Sequence, residues 1–158
     1  MVTEQDIWRA LEEVPDPEIP LVNVVELGIV HAVRCQGRRA EVVLIPTFSG
    51  CPAMDVIRRA VEERLRELGL EEVTVRLSLS PPWSTDRIAP SAREKMKQLG
   101  LAPPSLFEPE RDLFEPVACP YCGSTDTRLD SPFGPTLCRA MYYCDHCQQP
   151  FEKFKALR

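Results

Sequence analysis

Near the start of the chain, Ile7, Ala10, Leu11 and Val14 recur at helical spacing and make one apolar stripe. Thr3 and Asp6 ahead of it have the spacing of a capping box, with Asp in place of the usual Glu or Gln. Pro15 and Pro17 end this helix, and Asp16-Pro17-Glu18-Ile19-Pro20 reads as a rigid loop. Residues 24–34 and 40–45 are rich in Val and Ile and flank Gln36-Gly37-Arg38-Arg39, the pattern of an antiparallel hairpin. After Thr47-Phe48-Ser49-Gly50, Pro52 suits the first position of a second helix, which puts Cys51 at its N-cap. Met54, Ile57, Val61, Leu65 and Leu68 are its buried face, and Gly69 stops it. Asp55 with Arg59 and Glu62 with Arg66 are expected to pair on the wet side. Val73, Val75, Leu77 and Leu79 alternate with polar residues as in a half-buried strand. Residues 91–99 form a third helix, ended by Gly100. The order α-β-β-α-β-α predicts an α+β fold, a small domain with helices packed on a three-stranded sheet.

Composition changes this picture in the last third. Sixteen prolines in 158 residues are about twice the usual ~5%, and Pro103, Pro104, Pro109 and Pro116 crowd residues 102–116. That stretch is expected to be a linker between a first domain, residues 1–101, and a C-terminal module, residues 117–158. Five of the seven cysteines fall between residues 119 and 147, so the module is expected to be held by a metal rather than by a large core. A net charge of -5 gives no electrostatic reason to expect nucleic acid. From residue 117 onward five basic and four acidic residues are too balanced for a phosphate-tracking patch. No apolar run is long enough for a transmembrane helix, and the first residues lack the basic and apolar regions of a signal peptide. A cytoplasmic location with reduced thiols is therefore expected.

Two C-x-x-C pairs, Cys119-Pro-Tyr-Cys122 and Cys144-Asp-His-Cys147, stand 21 residues apart. Two residues between thiolates let both sulfurs turn toward one ion, and paired knuckles at this separation predict a zinc-ribbon-like module. Iron fits the same ligand set. Gly123 suits the left-handed backbone that such a knuckle often needs. Four protein thiolates leave no open coordination position, so the site reads as structural. Cys138 is surplus: a small buried residue, an extra ligand, or part of a cluster site. Cys51 carries the other chemistry. At a helix start the free amides and dipole are expected to lower its pKa, while a merely buried thiol is the competing reading. Neither His31 nor His146 is near it in sequence to serve as a base, and Asp16 and Glu18 are either its companions or solvated loop charges.

At Asp16-Pro17-Glu18-Ile19-Pro20, Leu27-Gly28-Ile29-Val30 and Thr47-Phe48-Ser49-Gly50-Cys51-Pro52 the chain resembles the metal–sulfur cluster assembly family that includes SufT-type proteins. Three further stretches resemble one branch of it, the accessory proteins of the phenylacetyl-CoA monooxygenase (epoxidase) system. These are Pro81-Pro82-Trp83-Ser84-Thr85-Asp86, the C-terminal cysteine pairs, and Phe133-Gly134-Pro135-Thr136-Leu137-Cys138-Arg139-Ala140. The resemblance implies a maturation factor for iron or iron–sulfur centres of that oxygenase in phenylacetate degradation. Cys51 would be its functional thiol, with Asp16, Glu18 and Thr47 around it; the family usually has cysteine at the position of Cys138 too. It leaves open which metal the ribbon holds, zinc being the default of the ligand set with iron or an iron–sulfur cluster as the substitute, and it implies transient iron or cluster at Cys51. The partners it implies are oxygenase subunits or other iron-centre clients, and a homo-oligomer is compatible with it. The sequence carries no carboxylate–histidine di-iron motif and no flavin or nicotinamide fingerprint, so oxidation chemistry is expected in partner chains and none in this one. The competing functions are a structural subunit of the oxygenase complex and a thiol-dependent enzyme.

Overall fold

Thr3 caps the first helix as its spacing predicts. Its Oγ1 accepts a hydrogen bond from the Asp6 amide at 3.2 Å, and Asp6 Oδ2 accepts one from the Thr3 amide at 2.9 Å. In the computed structural model, which describes residues 1–48, 50–104 and 115–156, this helix (α1, Glu4–Leu11) stops short of the prolines. Val14 lies beyond it yet stays buried, next to the Pro15–Asn23 bridge.

Residues 24–29, expected as strand, form turns instead. Asn23 Oδ1 accepts from the amides of Val25 (3.0 Å) and Glu26 (2.9 Å), while Glu26 Oε1 accepts from the Asn23 amide at 3.0 Å. Such side-chain bonds offer the backbone an alternative to a ladder, and Gly28 at φ 79° completes the reversal. The residues are nonetheless apolar because Val24, Leu27 and Ile29 are buried. The strand β1 (Val30–Gln36) follows and pairs antiparallel with β2 (Arg39–Leu44), as the hairpin pattern predicts.

The second helix, α2 (Ala53–Glu67), buries Ala53, Met54, Ile57, Val61 and Leu65. On its outer side Asp55 and Glu62 close on Arg58, at 3.9 and 3.3 Å, rather than on Arg59 and Arg66 as expected. Then β3 (Glu72–Leu77) runs parallel to β2, giving the order β1-β2-β3. α1 packs on α2 and β1, and α2 packs on β3. The first compact unit closes at Trp83, whose indole Nε1 donates to the Leu27 carbonyl at 3.1 Å.

The unit boundary at Trp83–Ser84 lies upstream of the expected one, and the third helix belongs to the second unit. After a 3-10 turn (Thr85–Arg87), α3 (Pro90–Gln98) buries Ala92 and Met96. The Arg93 guanidinium donates to the carbonyls of Thr85 (3.1 Å) and Pro104 (2.8 Å). The short strand β4 (Leu101–Ala102) then pairs parallel with β7 (Gln149–Phe154). With β5 (Thr127–Ser131) and β6 (Arg139–Cys144) it makes a second sheet, in the order β4-β7-β6-β5. The expected linker thus begins inside a strand at Ala102, and residues 105–114 of it lie outside the described residues. Lys153 is buried in this unit, its ammonium 5.7 Å from the Tyr142 ring centroid. No helix among the described residues is long and apolar enough to cross a membrane.

The phase of α2 is open to measurement. Ile57 is 1% exposed and its neighbour Val56 56%. Ile57→Ala is expected to cost about 2–5 kcal/mol of stability, and Val56→Ala less than about 0.5 kcal/mol, by urea denaturation followed by circular dichroism. Equal costs would contradict this packing.

Candidate metal centre and candidate thiol site

Each C-x-x-C pair is a tight turn built the same way. The Gly123 amide donates to the Cys119 carbonyl at 2.8 Å, and the Gln148 amide to the Cys144 carbonyl at 2.9 Å. Amides inside each turn aim at its first sulfur: Tyr121 N–H to Cys119 Sγ at 3.4 Å, Cys147 N–H to Cys144 Sγ at 3.5 Å. Gly123 takes the left-handed conformation expected of it, φ 78°. Gln148, the residue in the same place after the second pair, does so too at φ 60°, where a side chain is strained. That position was missed in the sequence, although its spacing from Cys147 matches that of Gly123 from Cys122.

The two turns bring four sulfurs together. Cys119 and Cys147 are 3.8 Å apart, Cys122 and Cys144 3.6 Å, and all four ligand atoms lie within 4.8 Å of one another. Thiolates arranged tetrahedrally about 2.3 Å from one ion would be about 3.8 Å apart. The donor set therefore fits a single tetrahedral ion. Without one the thiols conflict: Cys147 is pushed up to about 12, by withdrawal from water first and then by the neighbouring sulfurs of Cys144, Cys122 and Cys119. Cys144 is lowered, chiefly by a hydrogen bond from the Cys147 amide, so the burden of ionisation is unevenly shared.

Two of the four cysteines also belong to the hydrophobic interior. Cys119 and Cys144 sit in one buried cluster with Ala102, Val117, Ala140, Tyr142 and Phe151, and the Tyr142 and Phe151 rings stack at 5.7 Å. Cys138 is buried but outside the four-sulfur group, with its Sγ 3.1 Å from Thr136 Oγ1. His146 is exposed.

Cys51 lies in the first unit, half-buried, just ahead of α2. The N-cap is Pro52, one residue later than expected, and the Cys51 carbonyl accepts from the Met54 amide at 3.2 Å. Ser49 lies outside the described residues. The thiol pKa is raised, not lowered as a helix start predicts. Burial is the main cause; the Ala53 amide opposes it, Glu18 adds a raising charge, the Thr47 side chain opposes by hydrogen bonding, and Asp16 raises again. The amide at the helix start acts in the expected direction but is outweighed. Asp16 is itself buried, and its Oδ1 accepts from the amides of Glu18 (2.8 Å) and Ile19 (2.9 Å), which stiffens the proline loop. So Asp16, Glu18 and Thr47 all act on Cys51, while Cys51 and the four-sulfur group lie in different units.

Two family models match the chain: "Iron-sulfur cluster assembly protein" over residues 4–77, and "PaaD zinc beta ribbon domain" over residues 107–155. The chain is 40% identical to a putative 1,2-phenylacetyl-CoA epoxidase subunit of Escherichia coli (strain K12) over 152 residues, 96% of this chain and 92% of that protein. It is 36% identical to "Fe-S protein maturation auxiliary factor" of Porphyromonas gingivalis over 100 residues, 62% of this chain and 91% of that protein. Among solved structures, a domain of unknown function, DUF59, from Bacillus anthracis matches with a TM-score of 0.53 and 32% identity, over 56% of this chain and 86% of the other. A conserved hypothetical protein from Thermotoga maritima matches with a TM-score of 0.52 and 33% identity, over 60% and 94%. The match to the Escherichia coli protein runs through both family regions, and the chain belongs to the PaaD family, an iron–sulfur cluster assembly domain joined to a zinc β-ribbon.

Proposed function

We propose that this protein is a non-catalytic maturation factor for iron or iron–sulfur centres of the phenylacetyl-CoA oxygenase system. The observation that carries this reading is the thiol of Cys51, acted on by the charges of Glu18 and Asp16 and by the Thr47 side chain in one unit, while the four-thiolate site belongs to the other. The relatives' names point the same way, one to iron–sulfur maturation and one to the epoxidase. On this reading iron or a cluster is cargo, held briefly at Cys51 and passed to a client. The ribbon holds a resident zinc ion through Cys119, Cys122, Cys144 and Cys147 and serves as the docking module. Zinc is favoured over a cluster because all four sulfurs lie within 4.8 Å of one another, whereas the thiolates of a cluster bind different irons and stand farther apart. The working partners are oxygenase subunits.

A second reading, a structural subunit of the oxygenase, is favoured by the raised pKa of Cys51, which a buried, inert thiol would show. A thiol-dependent enzyme has less support, since a nucleophile needs a lowered pKa or an adjacent base.

Three outcomes test this. Cys51→Ser should leave the circular dichroism spectrum unchanged yet yield a client oxygenase short of iron by elemental analysis; a fully metallated client would favour the structural subunit. The purified protein should carry one zinc per chain with no visible chromophore. Its removal by a chelator should abolish the dispersed NMR signals of residues 117–156 and spare those of α1 and α2; sulfide with iron would reassign the site. Finally, a raised pKa keeps Cys51 protonated at neutral pH, so its alkylation should climb as pH rises through and beyond the free-thiol value of about 8.5. Glu18→Gln, which removes a raising charge, should speed labelling at neutral pH by about two- to fivefold. Fast, pH-independent labelling of the Cys51 peptide, read by mass spectrometry, would contradict the assigned environment.

A further inference from the structure

The described sheets present four edges, and three are blunted. β1 has an irregularity between Val30 and Ala32, and its Cys35 amide is capped by Glu4 Oε1 at 3.3 Å. β4 is two residues long. β5 is broken between Leu129 and Ser131, where the Ser131 hydroxyl turns back to accept from the Phe133 amide at 3.1 Å. β3 carries no such device: its six residues hold an unbroken register with β2, without proline or bulge.

The Glu72 amide donates to the Arg38 carbonyl at 3.2 Å and the Ser78 amide to the Leu44 carbonyl at 2.9 Å. Even-numbered residues thus bond inward, and by alternation Val73, Val75 and Leu77 point their N–H and C=O groups outward. Near its end Leu77 is 42% exposed, and Leu79, two residues beyond the strand, 66%.

We propose that the outer edge of β3 pairs antiparallel with β3 of a second copy of this chain, in a register centred on Thr74. Charge complementarity selects both occupant and register. Centred on Thr74, Val73 faces Val75 in hydrogen-bonded pairs, Thr74 faces Thr74, and Glu72 faces Arg76 in the closer, non-hydrogen-bonded pairs. Within the chain Glu72 already meets Arg39 at 3.0 Å, and Arg76 meets Glu41 at 3.6 Å. The twofold joins these pairs into a row of alternating charges, Arg39, Glu72, then Arg76 and Glu41 of the second copy. A register centred on Arg76 would instead set two arginines face to face. The interface lies in the first unit and does not depend on the proposed role of Cys51.

Thr74 and Arg76 are exposed, so substitutions there should leave the circular dichroism spectrum of the full chain unchanged. Under mild oxidation Thr74→Cys should form a disulfide-linked dimer that the parent chain lacks, with two copies of the peptide joined through position 74 found by mass spectrometry. Val73→Cys should not link to itself in this register. Arg76→Glu should weaken association about tenfold by sedimentation, and mixing that chain with the Glu72→Arg chain, a charge exchange that sets opposite charges across the pair again, should restore it. A chain monomeric at every concentration reached with Thr74→Cys unlinked overturns the proposal. So does self-linkage of Val73→Cys in preference, or an association that the charge exchange fails to restore.

Discussion

Four sulfurs within 4.8 Å of one another cannot all be ionised without a cation among them, and this constraint organises the C-terminal unit. The second of the two turns joins two strands of the sheet: Cys144 is the last residue of β6, and Gln149 opens β7 just past Cys147. Cys119 and Cys144 are buried with Tyr142 and Phe151, and Cys147 packs against that cluster. Ligand set and hydrophobic core are therefore one structure. A unit this small has few other sources of stability, and an ion bound by the folded state alone contributes directly to folding.

The first unit rests on a different principle, in which side chains satisfy backbone groups that no ladder reaches. Asp16 and the Asn23–Glu26 pair hold their loops by local hydrogen bonds, the first of which carries the acids that act on Cys51, and Trp83 clamps the second through the Leu27 carbonyl. The Cys51 thiol is partly withdrawn from water and feels the charges of two carboxylates, Glu18 and Asp16. Such surroundings disfavour a bare thiolate and favour a positively charged guest, since a cation beside Cys51 would reverse the effect of burial and acids together. This is the physical link between the raised pKa and the proposed handling of a metal cargo.

Sequence periodicity had most power where one apolar face decides the structure. α1 with its Thr3–Asp6 box, the hairpin, the buried face of α2 and the alternation of β3 follow from spacing, because each element must bury one side. The four metal ligands were legible for a related reason: C-x-x-C is a local geometry, and two copies need only be brought together. Less legible were features resting on contacts between distant segments or on competing local bonds. Residues 24–29 carry strand composition, yet local side-chain bonds and Gly28 make them turn.

The sequence alone therefore determined the three helices, the main strands of the first unit, the four-cysteine group and the family resemblance. Tertiary structure decided where the units divide, because the pairing of Leu101–Ala102 with β7 takes α3 into the second unit and a two-residue strand has no periodicity to read. It also decided the state of Cys51. Its place before α2 predicts a lowered pKa, but desolvation and the charges of Glu18 and Asp16, brought in by a loop some thirty residues away, act the other way and win.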